Sequence, residues 1–341
     1  MANTKNIDQL LEGLFADFTP KQRRVIVGRF GLRNGTRQTL QAIGDELGIT
    51  RERVRQIEEQ AMKKIMKRLE NEAAWILEAA EKRIKASGGV RREDDFLKEM
   101  VGTLGISGNI KYPERKLSFI FITAKNPQLS KETDEMNGYW YADEKAKAKF
   151  LDFIKEVNSF LRSSKKEEIL NKKTYQTYCK DVVSYHLLSI PKYFGTNVFG
   201  DFGLREWPEI EPKTIRDKVY LVLRKHAAPM HFEQIAVAVA KYGLDKKAAH
   251  IQTVHNELIK DDRFVLVGRG MYALKEHGFE RGTVREVIAK LLKKHGSLSS
   301  TEVVKLVNEQ RWLKENTILL NLQNRRYFRR LDNGRYEIRE A

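Results

Sequence analysis

The chain has 341 residues, 63 of them basic against 46 acidic, giving a net charge of +17 and a pI near 9.7, the electrostatic footprint of a polyanion binder. The longest apolar runs, Phe119 to Ile122 and Ile235 to Ala240, are core-sized rather than membrane-spanning, and the lone Cys179 excludes an internal disulfide and a cysteine-based zinc site. With 41% hydrophobic content, roughly two to four small domains are expected in a soluble, cytoplasmic, nucleoid-associated protein.

The first strongly patterned segment is Thr39 to Ile65. Its apolar and small residues Leu40, Ile43, Gly44, Leu47, Ile49, Val54, Ile57, Ala61 and Ile65 follow helical spacing with one interruption. At that interruption Gly48 can take the left-handed conformation that ends a helix, and Thr50 can cap the next one. Gly44 has no side chain to separate two sharply crossed helices. With Val54, Ile57 and Ala61 inward, Arg51, Glu52, Arg55 and Gln56 point outward from the first two turns of the second helix. Those turns meet base edges in a major-groove reader: arginine suits guanine, glutamine adenine, and a carboxylate cytosine. Thr50, Arg53, Lys63, Lys64, Lys67 and Arg68 are placed for phosphates or for another protein. A charged, solvated helix face offers the same residue types, but here the glycine turn, the small-residue contact and the polar set coincide.

This segment resembles region 4 of the sigma-70 family of bacterial sigma factors. The likeness begins at Phe18-Thr19-Pro20, includes Val25-Ile26 and Arg29-Phe30-Gly31-Leu32, and centres on Thr50-Arg51-Glu52-Arg53-Val54-Arg55-Gln56-Ile57-Glu58. It implies that Arg51, Glu52, Arg55 and Gln56 face an upstream promoter element and that the domain holds the β flap of bacterial RNA polymerase. Only a short lead precedes Phe18, so the sigma regions that bind core enzyme most tightly and melt the promoter are expected to be absent.

A helix is predicted from Ala73 to Lys85, ending at Ser87-Gly88-Gly89, which reads as a linker. Beyond it lies a repeat. Segments starting at Gly200, Gly270 and Gly334, spaced by 70 and 64 residues, share the pattern Gly-x-aromatic-x-aliphatic-basic-Glu. The capping-box patterns Thr214 to Asp217 and Thr283 to Glu286 each open a helix, and the two helices run in parallel to His226 and His295 at a constant offset of 69. Each unit reads as three helices and a hairpin, the winged-helix plan. In the second unit the helices are Ile215 to His226, a stretch from Phe232, and Lys247 to Lys260, followed by strands Phe264 to Val267 and Met271 to Leu274. The last unit has Val284 to His295, Ser300 to Gln310 and Glu315 to Arg325, then a hairpin turning at Asp332-Asn333-Gly334. A weaker echo, Gly138-Tyr139-Trp140-Tyr141-Ala142, suggests another wing near Trp140.

The second unit, with His231-Phe232-Glu233-Gln234-Ile235-Ala236 and Gly268-Arg269-Gly270-Met271-Tyr272-Ala273-Leu274, resembles the HARE-type winged helix of the RNA polymerase delta subunit, which implies a partner in the transcription machinery. The expected fold is mainly α with small β-hairpin wings. Its domains are a helix-turn-helix domain at 1–86, a degenerate winged helix at 90–145, a winged-helix-like unit at 146–208, a HARE-type winged helix at 209–277 and a C-terminal winged helix at 278–341.

On the third helices, His250, Gln252, Thr253, Asn256 and Lys260, and Asn321, Gln323, Asn324, Arg325 and Arg326, are candidates for a DNA groove. Arg329, Arg330 and Arg335 surround the last wing, and the tail from Arg281 onward carries 14 basic and 7 acidic residues. The wing aromatics Phe202, Tyr272 and Tyr336 are expected to pack on their own cores. The sequence carries no phosphate-binding loop with lysine, nucleophile elbow or two-metal acidic cluster. His250 and His255 fall on different helix faces, and His226 and His231 flank a proline turn, so neither a metal nor a cofactor is expected. Nor is an enzyme, a small-molecule substrate or a membrane partner. Without a long heptad run, a monomer is expected. Three readings remain: a transcription regulator on double-stranded DNA, a polymerase-associated interaction protein, and an accessory subunit of a DNA-processing enzyme.

Overall fold

A computed structural model of the chain describes residues 7–106, 110–170, 182–279, 282–311 and 313–339. It divides into two compact units, Met1–Gly195 and Thr196–Ala341.

The first unit opens with α1 (Ile7–Leu14), α2 (Pro20–Phe30), α3 (Leu40–Leu47), α4 (Arg51–Glu72) and α5 (Ala74–Ala86). Short-range chemistry sets these boundaries. Thr19 and Gln22 form a capping box at α2, while Thr39 and Thr50 accept from the backbone N–H groups of Ala42 (3.1 Å) and Arg53 (3.2 Å). Gly48, at φ +64°, ends α3 as its sequence predicts. At Gly44 a Cβ would sit 2.7 Å from the Ile49 carbonyl oxygen, so only glycine lets α3 approach the turn this closely. Val25, Ile43, Val54 and Ile57 close a small core behind the turn.

From α5 onward follow β1 (Val90–Arg92), α6 (Glu93–Thr103), α7 (Pro113–Ala124), β2 (Gln128–Ser130) and β3 (Tyr139–Tyr141). The antiparallel sheet has the order β1-β3-β2, with Val90 opposite Tyr141 and Leu129 opposite Trp140. Helix, strand, two helices and two strands in this order is a winged-helix arrangement, and its first helix is α5. Tyr139–Tyr141 is the central strand, buried along its whole length, and pairs with β2 in the hairpin expected near Trp140. Ser87-Gly88-Gly89, expected as a linker, is a tight turn: Gly88 and Gly89 have φ of +77° and +83°, and Gly89 is bonded to Ile84 and Ala142. No change of core occurs across it. One apolar cluster runs from Leu11 and Leu14 through Ile65, Leu69, Ile76 and Ile84 to Phe96, Phe119, Phe121 and Trp140.

Next come α8 (Glu144–Ser163), α9 (Lys166–Ile169) and α10 (Val182–Leu188), with β4 (Phe194–Thr196) at the division between the units. Cys179 and the middle of the expected unit 146–208 lie outside the described residues.

In the second unit β5 (Phe202–Leu204) precedes α11 (Ile215–His226), β6 (Met230–His231), α12 (Phe232–Lys241), α13 (Ile251–Lys260), β7 (Phe264–Gly268) and β8 (Met271–Leu274). The sheet order β6-β8-β7 repeats that of the first winged helix. Both capping boxes foreseen at Thr214 and Thr283 form. Helix α13 starts at Ile251, four residues later than expected. Gly243 breaks the chain at φ +71°, and Asp245 accepts from the Lys246 N–H (2.7 Å) and pairs with Lys218 (2.6 Å), holding the intervening loop.

The last domain has α14 (Val284–His295), α15 (Ser300–Gln310), α16 (Glu315–Leu322), β9 (Phe328–Arg330) and β10 (Tyr336–Ile338), with Leu298 bridging to Tyr336. Helix α16 ends at Leu322 rather than Arg325. Asn324 caps a turn by accepting from the Arg326 N–H with its side chain (3.1 Å) and from the Phe328 N–H with its carbonyl (3.1 Å). The fold is therefore mainly α with small antiparallel hairpins. The wing aromatics Phe202, Tyr272 and Tyr336 are all buried.

Candidate nucleic-acid interface

The first two turns of α4 present Arg51, Glu52, Arg53, Arg55 and Gln56, all exposed, while Val54 and Ile57 are buried beneath them. Arg55 and Glu52 form a fork, with Arg55 Nη2 donating to Glu52 Oε1 at 2.8 Å and Nε reaching both carboxylate oxygens at 3.0 and 3.1 Å. The Arg55 hydrogen bond holds the Glu52 carboxyl below its ordinary pKa, so it stays an acceptor. Arg53 donates to Gln56 Oε1 at 3.0 Å. Among the described residues, the Arg51 side chain has no hydrogen-bond or ion-pair partner. The helix thus offers one free guanidinium, one guanidinium braced by a carboxylate, and one amide, each able to meet a base edge.

The basic residues further along α4 divide. Lys63 pairs with Glu59 (3.2 Å) and Lys64 reaches the Gln22 side chain at 3.5 Å, both remaining exposed. Arg68 is committed to Asp17 (3.3 Å) and Glu72 (2.9 Å), so it braces the domain instead of offering a free charge.

Residues 14–67 match the family Sigma-70, region 4. Residues 213–277 match the HARE-HTH family, the helix-turn-helix domain of ASXL and restriction endonuclease proteins. Among similar proteins, the RNA polymerase sigma-B factor of Nostoc sp. is 48% identical over 54 residues, 16% of this chain and 16% of its own length. The RNA polymerase sigma factor SigA of Clostridium acetobutylicum is 43% identical over 58 residues, 17% of this chain and 15% of that one. The RNA polymerase sigma factor sigB of Arabidopsis thaliana is 39% identical over 67 residues, 20% and 11% of the two chains. The chain spans about a sixth or less of the length of these relatives. Both matched segments are DNA-binding helix-turn-helix types.

Behind this exposed face of α4, the region 4 domain is packed against α7. Phe119 is fully buried, its ring 4.8 Å from Phe30 in an edge contact and 5.9 Å from Phe15. Thr123 Oγ1 lies 3.7 Å from the Met62 sulfur, Lys116 pairs with Asp8, and Arg37 Nη2 donates to Ser118 at 3.3 Å. In the winged-helix plan α7 holds the position of the groove-reading third helix, yet Leu117, Phe119, Ile120 and Phe121 are wholly buried. This helix therefore serves as a brace.

In the HARE-type domain Val254 and Leu258 bury one face of α13, leaving Gln252, Thr253, Asn256 and Lys260 exposed with His250 just ahead. Its wing is packed on both sides. Phe264, Tyr272 and Leu274 pack on the helices, while Val265, Val267 and Ala273 pack with Met271 and Phe279 on the other side. Buried Arg311 donates to the carbonyls of Leu266 and Gly282 (2.5 Å to the latter), a clamp with no counterpart among the sequence expectations.

In the last domain an open cleft of about 1060 Å³ is lined by Gln323, Arg325, Arg329, Arg330, Glu337 and Arg339. Arg325 and Arg326 sit on the turn after α16, not on the helix. Among the described residues, the side chains of Arg325, Arg326 and Arg330 have no hydrogen-bond or ion-pair partner, although Arg326 lies over the Tyr327 ring at 5.7 Å. Arg329 pairs with Glu337, and Arg335 pairs with Glu302 (3.0 Å) and donates to the Ser297 carbonyl (2.9 Å), contacts that tie the hairpin to the helices. Arg339, the basic position of the Gly334 repeat, also lines the cleft, and Lys247 and the wing-tip Arg269 are further exposed basic residues; the last two lie in turns, where no periodic signal marks them. Among the described residues no group of three or more His, Cys, Asp or Glu converges to hold a metal, and no helix is long and apolar enough to cross a membrane.

Proposed function

We propose that the chain is a transcription regulator that reads promoter-like double-stranded DNA with α4 of its region 4 domain and engages further DNA or RNA polymerase through its winged helices, working in the cytoplasm on the nucleoid. The observation that carries this reading is the exposed set Arg51, Glu52, Arg55 and Gln56 on the first two turns of a capped helix, braced by the Glu52–Arg55 fork, inside a segment that matches Sigma-70, region 4. Arg325 and Arg330 on the C-terminal cleft, Arg326 beside them in sequence, and a net charge of +17 support backbone contacts elsewhere. The curated relatives are RNA polymerase sigma factors, which favours the polymerase as a second partner, with its β flap as the surface to test.

A second reading is a polymerase-associated protein that does not read sequence. What weighs against a simple apolar dock on the region 4 domain is that Phe15, Phe30 and Met62 are already covered by α7. The deciding experiment is selection of bound duplexes from random DNA, with and without core polymerase, for the wild type and for Arg51→Ala with Arg55→Ala. Enrichment of a promoter-like hexamer that the double variant loses supports the regulator, each arginine being worth about 1–3 kcal/mol. Polymerase binding without any enriched sequence in either condition supports the second reading and sinks the first.

A further inference from the structure

We infer that the exposed face of α13 is a second base-reading surface, selective for an adenine–thymine pair in a major groove; this rests on the DNA-binding reading above. Gln252 Nε2 donates to Asn256 Oδ1 at 3.0 Å, one helical turn apart on the exposed face. The linked amides leave Gln252 Oε1 as an acceptor beside the remaining N–H of Gln252 and the Asn256 Nδ2–H groups as donors, an acceptor and a donor side by side. Adenine offers the complement in the major groove, a donor at N6 next to an acceptor at N7. Guanine presents two acceptors and no donor there, so the Gln252 oxygen is left without a partner on that base.

The surroundings of the amide pair agree with this chemistry. Ile251 and Ile259, 46% and 58% exposed, flank it as two large apolar side chains in water, and a thymine methyl group is an apolar partner within the same base pair. The helix's own carboxylate, Glu257, does not compete on this face, because Arg216 holds it at 2.7 Å. Among the described residues, Lys247 ahead of the helix and Arg269 at the tip of the wing are exposed and free of ion pairs, placed to meet phosphates on either side. Helix α7 occupies the same position in its own winged helix and is buried there, so the open polar face of α13 is a property of this sequence and not of the fold alone.

The test uses the full chain in selections from random duplex DNA. Wild type, Gln252→Ala with Asn256→Ala, and Arg51→Ala with Arg55→Ala are compared, each checked for an unchanged circular dichroism spectrum. The wild type is expected to enrich two blocks, one lost with Arg51 and Arg55 and the other, holding a fixed A·T pair, lost with Gln252 and Asn256. Replacing that pair with G·C should weaken wild-type binding about five- to 150-fold and leave the Gln252/Asn256 variant nearly indifferent. If both blocks persist in the Gln252/Asn256 variant, the assignment of α13 is wrong while the DNA-reading function stands. Should that variant lose binding to core polymerase with its DNA preference intact, α13 is a protein-docking face and the inference is overturned. Wild-type protein that enriches no sequence at all overturns both.

Discussion

Replacing Phe119 with alanine tests whether the region 4 domain and the winged helix that follows it share one packed core. The Phe119 ring is fully buried between Phe30 and Phe15, with centroids 4.8 and 5.9 Å away. Truncating a buried phenylalanine costs about 3–5 kcal/mol when transfer and cavity terms are added, and the two ring contacts supply about 0.5–1.5 kcal/mol each within that sum. Total domain stability is on the order of 5–15 kcal/mol, so the variant should still fold. Urea unfolding of the full chain should show the loss, and amide hydrogen exchange should show where it falls. Protection is expected to drop in α7 and in the C-terminal half of α4, whose Ile65 and Leu69 belong to the same cluster as Phe119. Around Val25, Ile43, Val54 and Ile57, a separate cluster, protection should change little. A loss below about 1 kcal/mol, or faster exchange confined to α7, would refute the shared core.

Three further outcomes are expected. Gly44→Ala puts a methyl group 2.7 Å from the Ile49 carbonyl oxygen, a backbone atom, and should cost about 1–3 kcal/mol by overpacking, read as a lower unfolding midpoint with weakened sequence preference. Glu99 is pushed up by burial, but hydrogen bonds from Arg91 and Arg83 outweigh that and hold it below the usual carboxylate range. Its contribution is present above the ordinary carboxylate pKa and disappears as pH falls through the lower folded value. Glu99→Gln should therefore lose about 3 kcal/mol at pH 7, stranding buried Arg91, and approach wild type in acid melts; an equal deficit at every pH would contradict the assignment. Substituting Arg325, Arg326 and Arg330 together with alanine should reduce the slope of log affinity against log salt by about 3, at about 0.9 per phosphate contact, and an unchanged slope would remove the C-terminal cleft from the DNA interface.

Local signals made much of the fold legible from sequence. Thr50, Thr214 and Thr283 cap helices as their spacing implies, and Gly48 stops α3. The repeat of capping boxes announced the last two winged helices. The winged helix at α5 to β3 was read only faintly because burial erased its periodicity. Leu117 to Phe121 is buried all round, so α7 shows no polar face, and Tyr139, Trp140 and Tyr141 are all inside, so β3 shows no alternation. Ser87-Gly88-Gly89 looked like a linker because the positive φ values that a tight turn needs call for the same residues. At the interface, outward positions on α4 and α13 could be counted from helix periodicity. The pairing of Arg335 with Glu302 and of Arg68 with Asp17 could not, because partners 33 and 51 residues apart meet only in the folded chain.

Three winged helices with one strand order put their third helices to different uses, and burial is what separates them. Helix α7 turns Phe119 onto the region 4 domain and so gives up a groove; in exchange it covers the apolar side of α4, whose opposite end carries Arg51 and Arg55. Helix α16 is short because Asn324 stops it, which moves Arg325 and Arg326 from a helix face to the turn that follows, with Arg325 on the lining of the arginine cleft. Helix α13 keeps an exposed polar face from Gln252 to Lys260, built on a linked amide pair. If α4 and α13 both read bases, the chain should recognise two separate sequence blocks, and substitutions in one helix should leave the preference of the other intact. A single block that vanishes with either pair of substitutions would mean that the two helices do not read independently.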